Sequence, residues 1–280
     1  MSESATDTTP ATPDAPPPPP RRTGPIAGVA VVVVVVVALV AYFALRGGSG
    51  DDAAPKSSGG VTHVKIGQGA GSAAKPVTLD VPTVAKIRAE LPAKYRQSGS
   101  LVIGEGALPT GFPPLAFVGS DNKTLTGAEP DFGRLVAAVL GLQPKVTNAT
   151  WENLFVGIDA GTSDVGFSNI TDTEERKQKY DFASYREDNL AIATLGTSKV
   201  TFDGDPSVLA GLKVAVSSGT NQEKILQGWQ AQLKAKGKSF DIKYFPDDTA
   251  TWTALESGQI DAYFGPNPGV SYQEAQTGTK

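Results

Sequence analysis

Two polar turns contain residues whose types and spacing could bind an anion. The first holds Ser168, Asn169 and Thr171 after a short apolar segment, and Arg176 follows about one helical turn later. Thr171 and Glu174 fit a capping box, which would begin a helix at Thr171. Helix amino termini and arginine side chains both bind carboxylates, so this turn could hold the negative end of a ligand. A plain helix cap, with Arg176 paired to a carboxylate in solvent, fits the pattern about as well.

The second turn follows another apolar segment and contains Gly219, Thr220 and Asn221. Thr220 and Glu223 again fit a capping box, and Gly219 would allow the backbone to approach a ligand closely. In open α/β sheets, ligands bind outside the carboxyl ends of the strands, where such turns lie. Loops are commonly polar, so this turn by itself does not require a ligand.

Two aromatic residues could form apolar walls of a site. Phe112 lies between Gly111 and two prolines, Pro113 and Pro114, in a stiff extended loop, and Trp151 begins a predicted helix. An aromatic ring that packs against another ring contributes about 1 kcal/mol beyond its buried area. Most aromatic residues belong to a core, and the sequence leaves both roles open for Phe112 and Trp151.

The composition excludes several kinds of chemistry. The 280 residues include no cysteine and one histidine, His63. A thiolate metal site, a cysteine nucleophile and a cysteine-linked lipid anchor are therefore impossible. His63 lies in a glycine-rich stretch, and we assign it no role. The net charge of −4, without a basic stripe, argues against nucleic acid as a partner. We predict no metal site and no cofactor.

The amino-terminal residues are typical of a membrane anchor. Residues 1–25 are proline-rich and poor in large apolar side chains, which predicts a disordered tail. Residues 26–45 form an uncharged run of 20 residues, enough for a helix to cross the roughly 30 Å hydrocarbon core.

We expect an uncleaved transmembrane helix at 26–46 and a flexible linker at 47–79. Arg21 and Arg22 precede the span, which predicts a single-pass protein of the cell membrane with its amino terminus in the cytoplasm and the remainder extracellular. A cleaved signal peptide and a buried core helix are the alternatives.

After the linker, predicted strands alternate with predicted helices. Strands are predicted at 101–104, 144–147, 164–168, 189–195, 212–217, 240–245 and 260–264, and helices at 130–140, 151–160, from 171, at 221–236 and at 248–257. Strands separated by helices predict parallel sheets with crossover connections. Two such sets predict an α/β protein with two lobes, at 80–195 and 196–280.

Several short segments occur in an order that is specific in combination. They are 101–104, 112–114, 127–132, 164–168, 171–176, 180–182 and 214–223. From about Leu91 to Gln276 the chain thereby resembles the bacterial extracellular solute-binding proteins of family 3, and residues 89–93 resemble actinobacterial members. The resemblance implies the two-lobe fold of type II periplasmic binding proteins. It also implies a receptor of an ABC-type uptake system, with the transporter permease as its partner.

The resemblance implies roles for individual residues. Phe112 and Trp151 would enclose the ligand, and Arg176 would bind its α-carboxylate. Thr220 would close over the ligand from the second lobe. The full set of ligand-binding residues would be Phe112, Trp151, Ser168, Asn169, Thr171, Arg176, Gly219, Thr220, Asn221 and Asn267.

Three departures from the family pattern are visible. Family members usually have an acidic residue where this chain has Pro266, so a ligand ammonium group loses that partner unless Asn267 or Glu105 replaces it. Loss of one partner of a buried charge pair costs about 2 to 5 kcal/mol. Family members usually continue through a second crossing between the lobes and a carboxyl-terminal return, whereas this sequence stops at Lys280, so we expect either a fragment or a chain without the closing hinge. The span at 26–46 would replace the lipid anchor of Gram-positive relatives.

These observations favour a membrane-tethered solute-binding protein, not an enzyme, that binds a small carboxylate-bearing, amino-acid-like ligand. Two alternatives stay open. An enzyme on the same fold, such as a cyclic-acid dehydratase or a murein-cleaving relative, would need an acid or base in the cleft, and Glu105 is our candidate. A scaffold or signalling ectodomain without a ligand could use the proline run of its tail to bind a partner.

Overall fold

The structure, a computed structural model, describes residues 60–71 and 73–277. The predicted tail at 1–25, the predicted transmembrane helix at 26–46 and the first part of the predicted linker lie outside these residues. Within the described residues, no helix combines the length and the apolar character that crossing a membrane requires.

The described chain begins with an antiparallel hairpin of β1 (Val61–Ile66) and β2 (Val77–Pro82). Val64 and Val81 are buried in the core of the first lobe. His63 and Asp80 pair on the exposed face, with 2.6 Å between Nδ1 and Oδ1. The expectation of a flexible linker over all of 47–79 is therefore wrong from Val61 onward, because strand pairing and the buried Val64 and Val81 hold the hairpin to the first lobe.

Three parallel strands form the sheet of the first lobe. β3 (Ser100–Glu105) lies between β6 (Gln143–Asn148) and β7 (Val165–Gly166), and a small antiparallel pair, β4 (Phe117–Val118) and β5 (Leu125–Thr126), lies apart from this sheet. The helices of this lobe are α1 (Ala85–Glu90), α2 (Ala93–Ser98), α3 (Ala128–Val139), α4 (Trp151–Asp159) and α5 (Glu174–Lys177).

Helix α3 confirms the helix predicted at 130–140 and connects the sheet to the hairpin. Its buried residues Val136 and Val139 share one core with Ile103 of β3 and with Val64 of the hairpin. The helix ends before Gly141, whose φ of +66° is the left-handed conformation that commonly stops a helix.

The second lobe has a mixed sheet in the strand order β10, β9, β11, β8. Its strands are β8 (Leu190–Ala193), β9 (Lys213–Ala215), β10 (Asp241–Lys243) and β11 (Ala262–Pro266). Its helices are α6 (Asn221–Ala235), α7 (Asp248–Glu256) and α8 (Asn267–Thr277), with a 3-10 turn at Pro206–Leu209.

Two expectations about this sheet are corrected. β8 runs antiparallel to β11, whereas β9, β10 and β11 are parallel to one another as predicted. β8 also belongs to the second sheet, although the predicted first lobe extends to residue 195. The physical reason is the connection, because the chain enters this sheet from the first lobe without a crossover helix that would make β8 parallel.

Segments that leave the carboxyl ends of strands converge between the two sheets. Gly106 comes directly after β3, and Pro266 is the last residue of β11. Ser168 and Ser217 are each the second residue after a strand, β7 and β9 respectively. All four residues line one cavity. The fold therefore places the predicted polar turns where open α/β sheets bind ligands.

Gly127 provides a test of the close packing before α3. Its φ is +115°, and a Cβ atom here would lie 2.3 Å from the carbonyl oxygen of Leu115. We expect Gly127→Ala to lower the free energy of unfolding by about 3 kcal/mol, because both the conformation and the contact exclude a side chain. Urea denaturation measures the change.

The matched control is Gly228→Ala within α6, where a Cβ would contact nothing within 4 Å. This variant should stabilise the protein by about 0.5 to 1 kcal/mol, since alanine is the better helix former. Equal effects of the two substitutions would contradict the role given to Gly127.

Candidate ligand-binding site

A cavity of about 280 Å³ lies between the two lobes. Most of the predicted site residues line it: Phe112, Trp151, Ser168, Asn169, Thr171, Arg176, Thr220 and Asn221. Phe112 and Trp151 come from the first lobe and Thr220 from the second, as the family resemblance implies. The sequence therefore identified residues that the fold brings together from distant parts of the chain.

Two predicted residues, Gly219 and Asn267, do not line the cavity. The carbonyl oxygen of Gly219 accepts a hydrogen bond of 3.1 Å from Nε1 of Trp151, which places Gly219 at the edge between the lobes. Asn267 begins α8, where its backbone N–H donates to the carbonyl of Asn189 at 2.8 Å and its Oδ1 accepts from Ser271. Asn267 therefore serves the start of a helix, and the prediction that it compensates for Pro266 is not supported by its position.

Arg176 is held at the cavity by two aromatic rings. The guanidinium carbon lies 5.4 Å from the ring centre of Trp151 and 5.3 Å from that of Phe155. Nη1 donates to the carbonyl oxygen of Thr171 at 3.0 Å. Burial lowers the pKa of Arg176, but an arginine keeps its charge in a protein. One N–H is thus used to fix the side chain, and a guanidinium has five.

The helix that carries Arg176 begins later than the capping-box prediction placed it. Thr173, not Thr171, caps α5, and its hydroxyl oxygen accepts from the backbone N–H of Arg176 at 3.3 Å. The carbonyl of Thr171 is instead the acceptor for the Arg176 side chain. Since α5 is only four residues long, the positive charge at this end of the cavity comes from the guanidinium rather than from a helix terminus.

Asn169 lies in a network that joins the cavity to the segment before β8. Its φ is +51°. Its Oδ1 accepts from Nη2 of Arg186 at 2.5 Å, and its Nδ2 donates to Asp188 at 2.9 Å. Arg186 also donates to Glu129 at 3.2 Å, and the hydroxyl of Tyr185 donates to the same carboxylate. The network fixes Asn169, so its side chain already has partners within the protein.

Glu105 lies beneath the site and does not line the cavity. It is fully buried, and neither carboxyl oxygen has a hydrogen-bond partner among the described residues. Burial, together with the nearby Glu129 carboxylate, raises the pKa of Glu105 to about 10, although Arg134 opposes the shift. Its suggested roles as a catalytic acid or as the partner of a ligand ammonium group are therefore corrected, because the side chain has no access to the cavity.

Ser168 also supports the site from below. Its hydroxyl oxygen accepts from the backbone N–H of Gly106 at 2.9 Å, and the residue is buried. This bond ties the segment after β7 to the segment after β3, so two of the converging strand ends hold each other in place.

The turn before α6 forms the second-lobe side of the cavity. Thr220 caps the helix as predicted, with its hydroxyl oxygen accepting from the backbone N–H of Glu223 at 3.2 Å. The return bond of the predicted capping box differs, since Glu223 accepts from the N–H of Gly219 at 2.7 Å. The first-turn residues Asn221 and Gln222 line the cavity.

Sequence reasoning missed a group of second-lobe residues at the cavity: Phe245, Asp247, Asp248, Trp252 and Tyr263. The spacing of Asp248 and Trp252, four residues apart at the start of a helix, was an available signal because it places both on one helix face. Asp247 looks like an ordinary cap, and its Oδ1 does accept from the N–H of Ala250 at 2.8 Å.

Two contacts join the lobes at the mouth of the cavity. Trp151 donates to Gly219, as described, and the Lys224 ammonium group forms an ion pair with Glu175. Glu175 and Trp151 belong to the first lobe, and Gly219 and Lys224 to the second. Contacts of this kind exist only when the lobes are together, so they favour the closed arrangement.

Comparison with known proteins agrees with this geometry. Residues 106–243 match the family of bacterial extracellular solute-binding proteins, family 3. The match includes Phe112, Trp151, Arg176 and Thr220, which come from both walls of the cavity. The family assignment made from the sequence is thereby supported.

Two curated relatives and one solved structure show how far the similarity extends. The chain is 32% identical over 172 residues to the L-cystine-binding protein TcyJ of Escherichia coli K12, covering 60% of this chain and 59% of that protein. It is 34% identical over 188 residues to the arginine-binding protein ArgT of Corynebacterium glutamicum, covering 66% and 60%. The match thus spans about six tenths of the length of each relative.

The structure of an ancestral arginine-binding protein bound to arginine has a TM-score of 0.56 and 26% identity to this chain. The alignment covers 64% of this chain and 74% of that one. The periplasmic binding protein fold, expected from the resemblance, is supported by this match.

The buried Glu105 predicts a pH-dependent stability. Its pKa in the folded protein, about 10, exceeds the unfolded value of about 4.3, so the folded state keeps a proton that the unfolded chain releases. The wild-type protein therefore loses stability as the pH rises above about 4.3. Glu105→Gln cannot ionise, and we expect it to raise the free energy of unfolding by about 2 to 4 kcal/mol at pH 7.5 and by little at pH 4.

Denaturation curves across this pH range provide the measurement. Glu90→Gln, at an exposed position in α1, is the matched control and should change stability by less than about 0.5 kcal/mol at every pH. A difference between Glu105→Gln and wild type that does not grow with pH would contradict the assignment.

The ion pair between the lobes predicts an effect on closure. Lys224→Gln should lower ligand affinity only about two- to fivefold, because solvent weakens an exposed ion pair. The chain has no cysteine, so single dyes at Gln97→Cys and Lys234→Cys can report the distance between the lobes, which should increase in the unliganded variant.

Lys177→Gln is the control, because Lys177 pairs with Glu174 inside one helix at 3.0 Å. If it opened the lobes as much as Lys224→Gln, the interlobe pair would have no specific part in closure.

Proposed function

We propose that this chain is the extracytoplasmic solute-binding protein of an ABC-type uptake system, which binds a small carboxylate-bearing, amino-acid-like ligand between its lobes and presents it to a permease. The cavity that combines Arg176 with aromatic and helix-capping residues from both lobes carries this proposal. The names of the relatives, which bind cystine and arginine, point to the same ligand class. In this proposal the chain binds a solute and does not act as an enzyme.

Arg176 supplies the recognition of the carboxylate. Its guanidinium is restrained by Trp151, Phe155 and the Thr171 carbonyl, so little side-chain entropy is lost when a ligand binds. A restrained guanidinium favours a planar carboxylate, because two parallel N–H donors can meet its two oxygens.

Phe112 and Trp151 supply the apolar contact and part of the closure. Trp151 lines the cavity and also reaches Gly219 of the second lobe. A ligand that contacts both lobes binds the closed state more tightly, and it shifts the population toward that state by its difference in affinity. A closed receptor with a distinct surface is what a permease would recognise.

The location rests on the sequence alone. The uncharged run at 26–45 would anchor the protein in the cell membrane, with the lobes outside, and would replace a lipid anchor that the absence of cysteine excludes. Residues 89–93 resemble actinobacterial members of the family, which supports a protein of the actinobacterial type. The relative from Corynebacterium glutamicum supports the same assignment.

Arg176→Gln tests the proposed carboxylate site. We expect affinity for amino acids to fall about thirtyfold or more, because the carboxylate would lose its charged partner at a partly buried site. Isothermal titration of the full chain with L-arginine, L-cystine and other amino acids measures the change. Arg176→Lys should bind with intermediate affinity, since it keeps the charge but not the paired donors.

Arg96→Gln is the matched control, because Arg96 is exposed and its guanidinium donates only to the carbonyl of Ala89, away from the cavity. Wild-type affinity is expected for this variant. No saturable heat with any amino acid or organic acid, or binding that survives Arg176→Gln unchanged, would overturn the proposed function.

A further inference from the structure

The second-lobe side of the cavity combines carboxylates with aromatic rings. Asp247 and Asp248 begin α7, Trp252 lies one turn further along, and Tyr263 belongs to β11; all line the cavity. The rings of Trp252 and Tyr263 meet edge to face, with centres 5.1 Å apart and planes at 72°. We call Asp248, Trp252 and Tyr263 the aspartate–aromatic wall.

Asp248 is the carboxylate of this wall that has no use within the protein. It is partly buried and has no hydrogen-bond or ion-pair partner among the described residues, whereas the neighbouring Asp247 caps α7. Asp248 itself lies at the cavity surface. Partial burial of a carboxylate without a partner costs free energy, so the position favours a cation supplied from outside.

The charged residues that line the cavity also favour a cation at Asp248. Glu152, Asp247 and Asp248 line it, against Arg176 as the one cationic side chain among the described lining residues. Arg176 and Glu152 belong to the first lobe and Asp247 and Asp248 to the second, so the second-lobe wall has carboxylates and no cationic side chain among its described residues. Aromatic rings also attract a cation through their faces, most strongly when the site is desolvated.

We propose that Asp248, with Trp252 and Tyr263, binds a positively charged nitrogen of the ligand, in place of the acidic residue that Pro266 displaces at the end of β11. This inference rests on the proposed function and narrows it. The ligand class is a small molecule with one carboxylate for Arg176 and at least one ammonium or guanidinium group for Asp248. The same chemistry is available from an α-ammonium group or from a basic side chain.

The surroundings of Asp248 make this contact dependent on pH. Burial, and then the charge of Asp247, raise the pKa of Asp248 to about 6. The other ionisable groups of the cavity near it are Tyr263, on its own lobe, and Glu152 and Arg176 from the first lobe. A ligand cation binds the ionised carboxylate, so affinity should rise as the pH increases from about 5 to 7 and should then level off.

Four probes separate the two sources of positive charge in the full chain: L-arginine, 5-guanidinopentanoate, which lacks the α-ammonium group, L-norvaline, which lacks the guanidinium group, and agmatine, which lacks the carboxylate. Each is titrated calorimetrically into wild type, Asp248→Asn and Asp248→Glu. The matched control is Asp241→Asn, on the exposed end of β10, where the carboxylate pairs with Lys243 at 3.4 Å.

We expect Asp248→Asn to lower affinity for L-arginine about thirtyfold or more and to remove its rise between pH 5 and 7, with partial recovery in Asp248→Glu. One probe should be insensitive to Asp248→Asn: 5-guanidinopentanoate if the α-ammonium group is the partner, L-norvaline if the guanidinium group is. Asp241→Asn should bind all probes as wild type does. An insensitive probe also shows that the variant is folded.

Two results would overturn the inference while leaving the proposed function intact. One is L-arginine affinity that Asp248→Asn leaves unchanged, and the other is an equal loss for every probe, including the one without the paired nitrogen. Failure of wild type to bind any probe or any other amino acid would overturn the proposed function and the inference with it.

Discussion

A guanidinium without a carboxylate partner is the constraint on which this cleft depends. Arg176 packs against Trp151 and Phe155 and donates to a backbone carbonyl, yet no ion pair neutralises it among the described residues. A half-buried cation of this kind is stabilised most by an anion that enters the cleft. Because Trp151 also bonds to the second lobe, the ring that positions the charge takes part in bringing the lobes together.

The second lobe lines the cleft with carboxylates and, among its described residues, with no cationic side chain, whereas the first lobe supplies Arg176 together with Glu152. Asp248 lies beside Trp252 and Tyr263 on the second-lobe side. A ligand with both charges would contact both lobes only in one orientation, so the arrangement selects orientation and closure at the same time.

Local signals predicted much of the fold. The helices α3, α4, α6 and α7 follow from apolar stripes and end signals within the sequence, and their bounds agree with the structure to within a few residues. The misassigned features depend on distant contacts. The hairpin at Val61–Pro82 needs the core of α3, and β8 takes its direction from its entry into the second sheet. The capping-box pattern with Glu174 favours Thr171 as the cap, yet Thr173 caps α5 and the Thr171 carbonyl accepts from the Arg176 side chain instead.

The position of Asn169 has a mechanical consequence. Its amide group is bridged to Arg186 and Asp188, directly before β8, the strand by which the chain passes into the other lobe. Asn169 also lines the cavity. A ligand that displaced Asn169 would therefore strain these two bonds and act directly on the segment that connects the lobes.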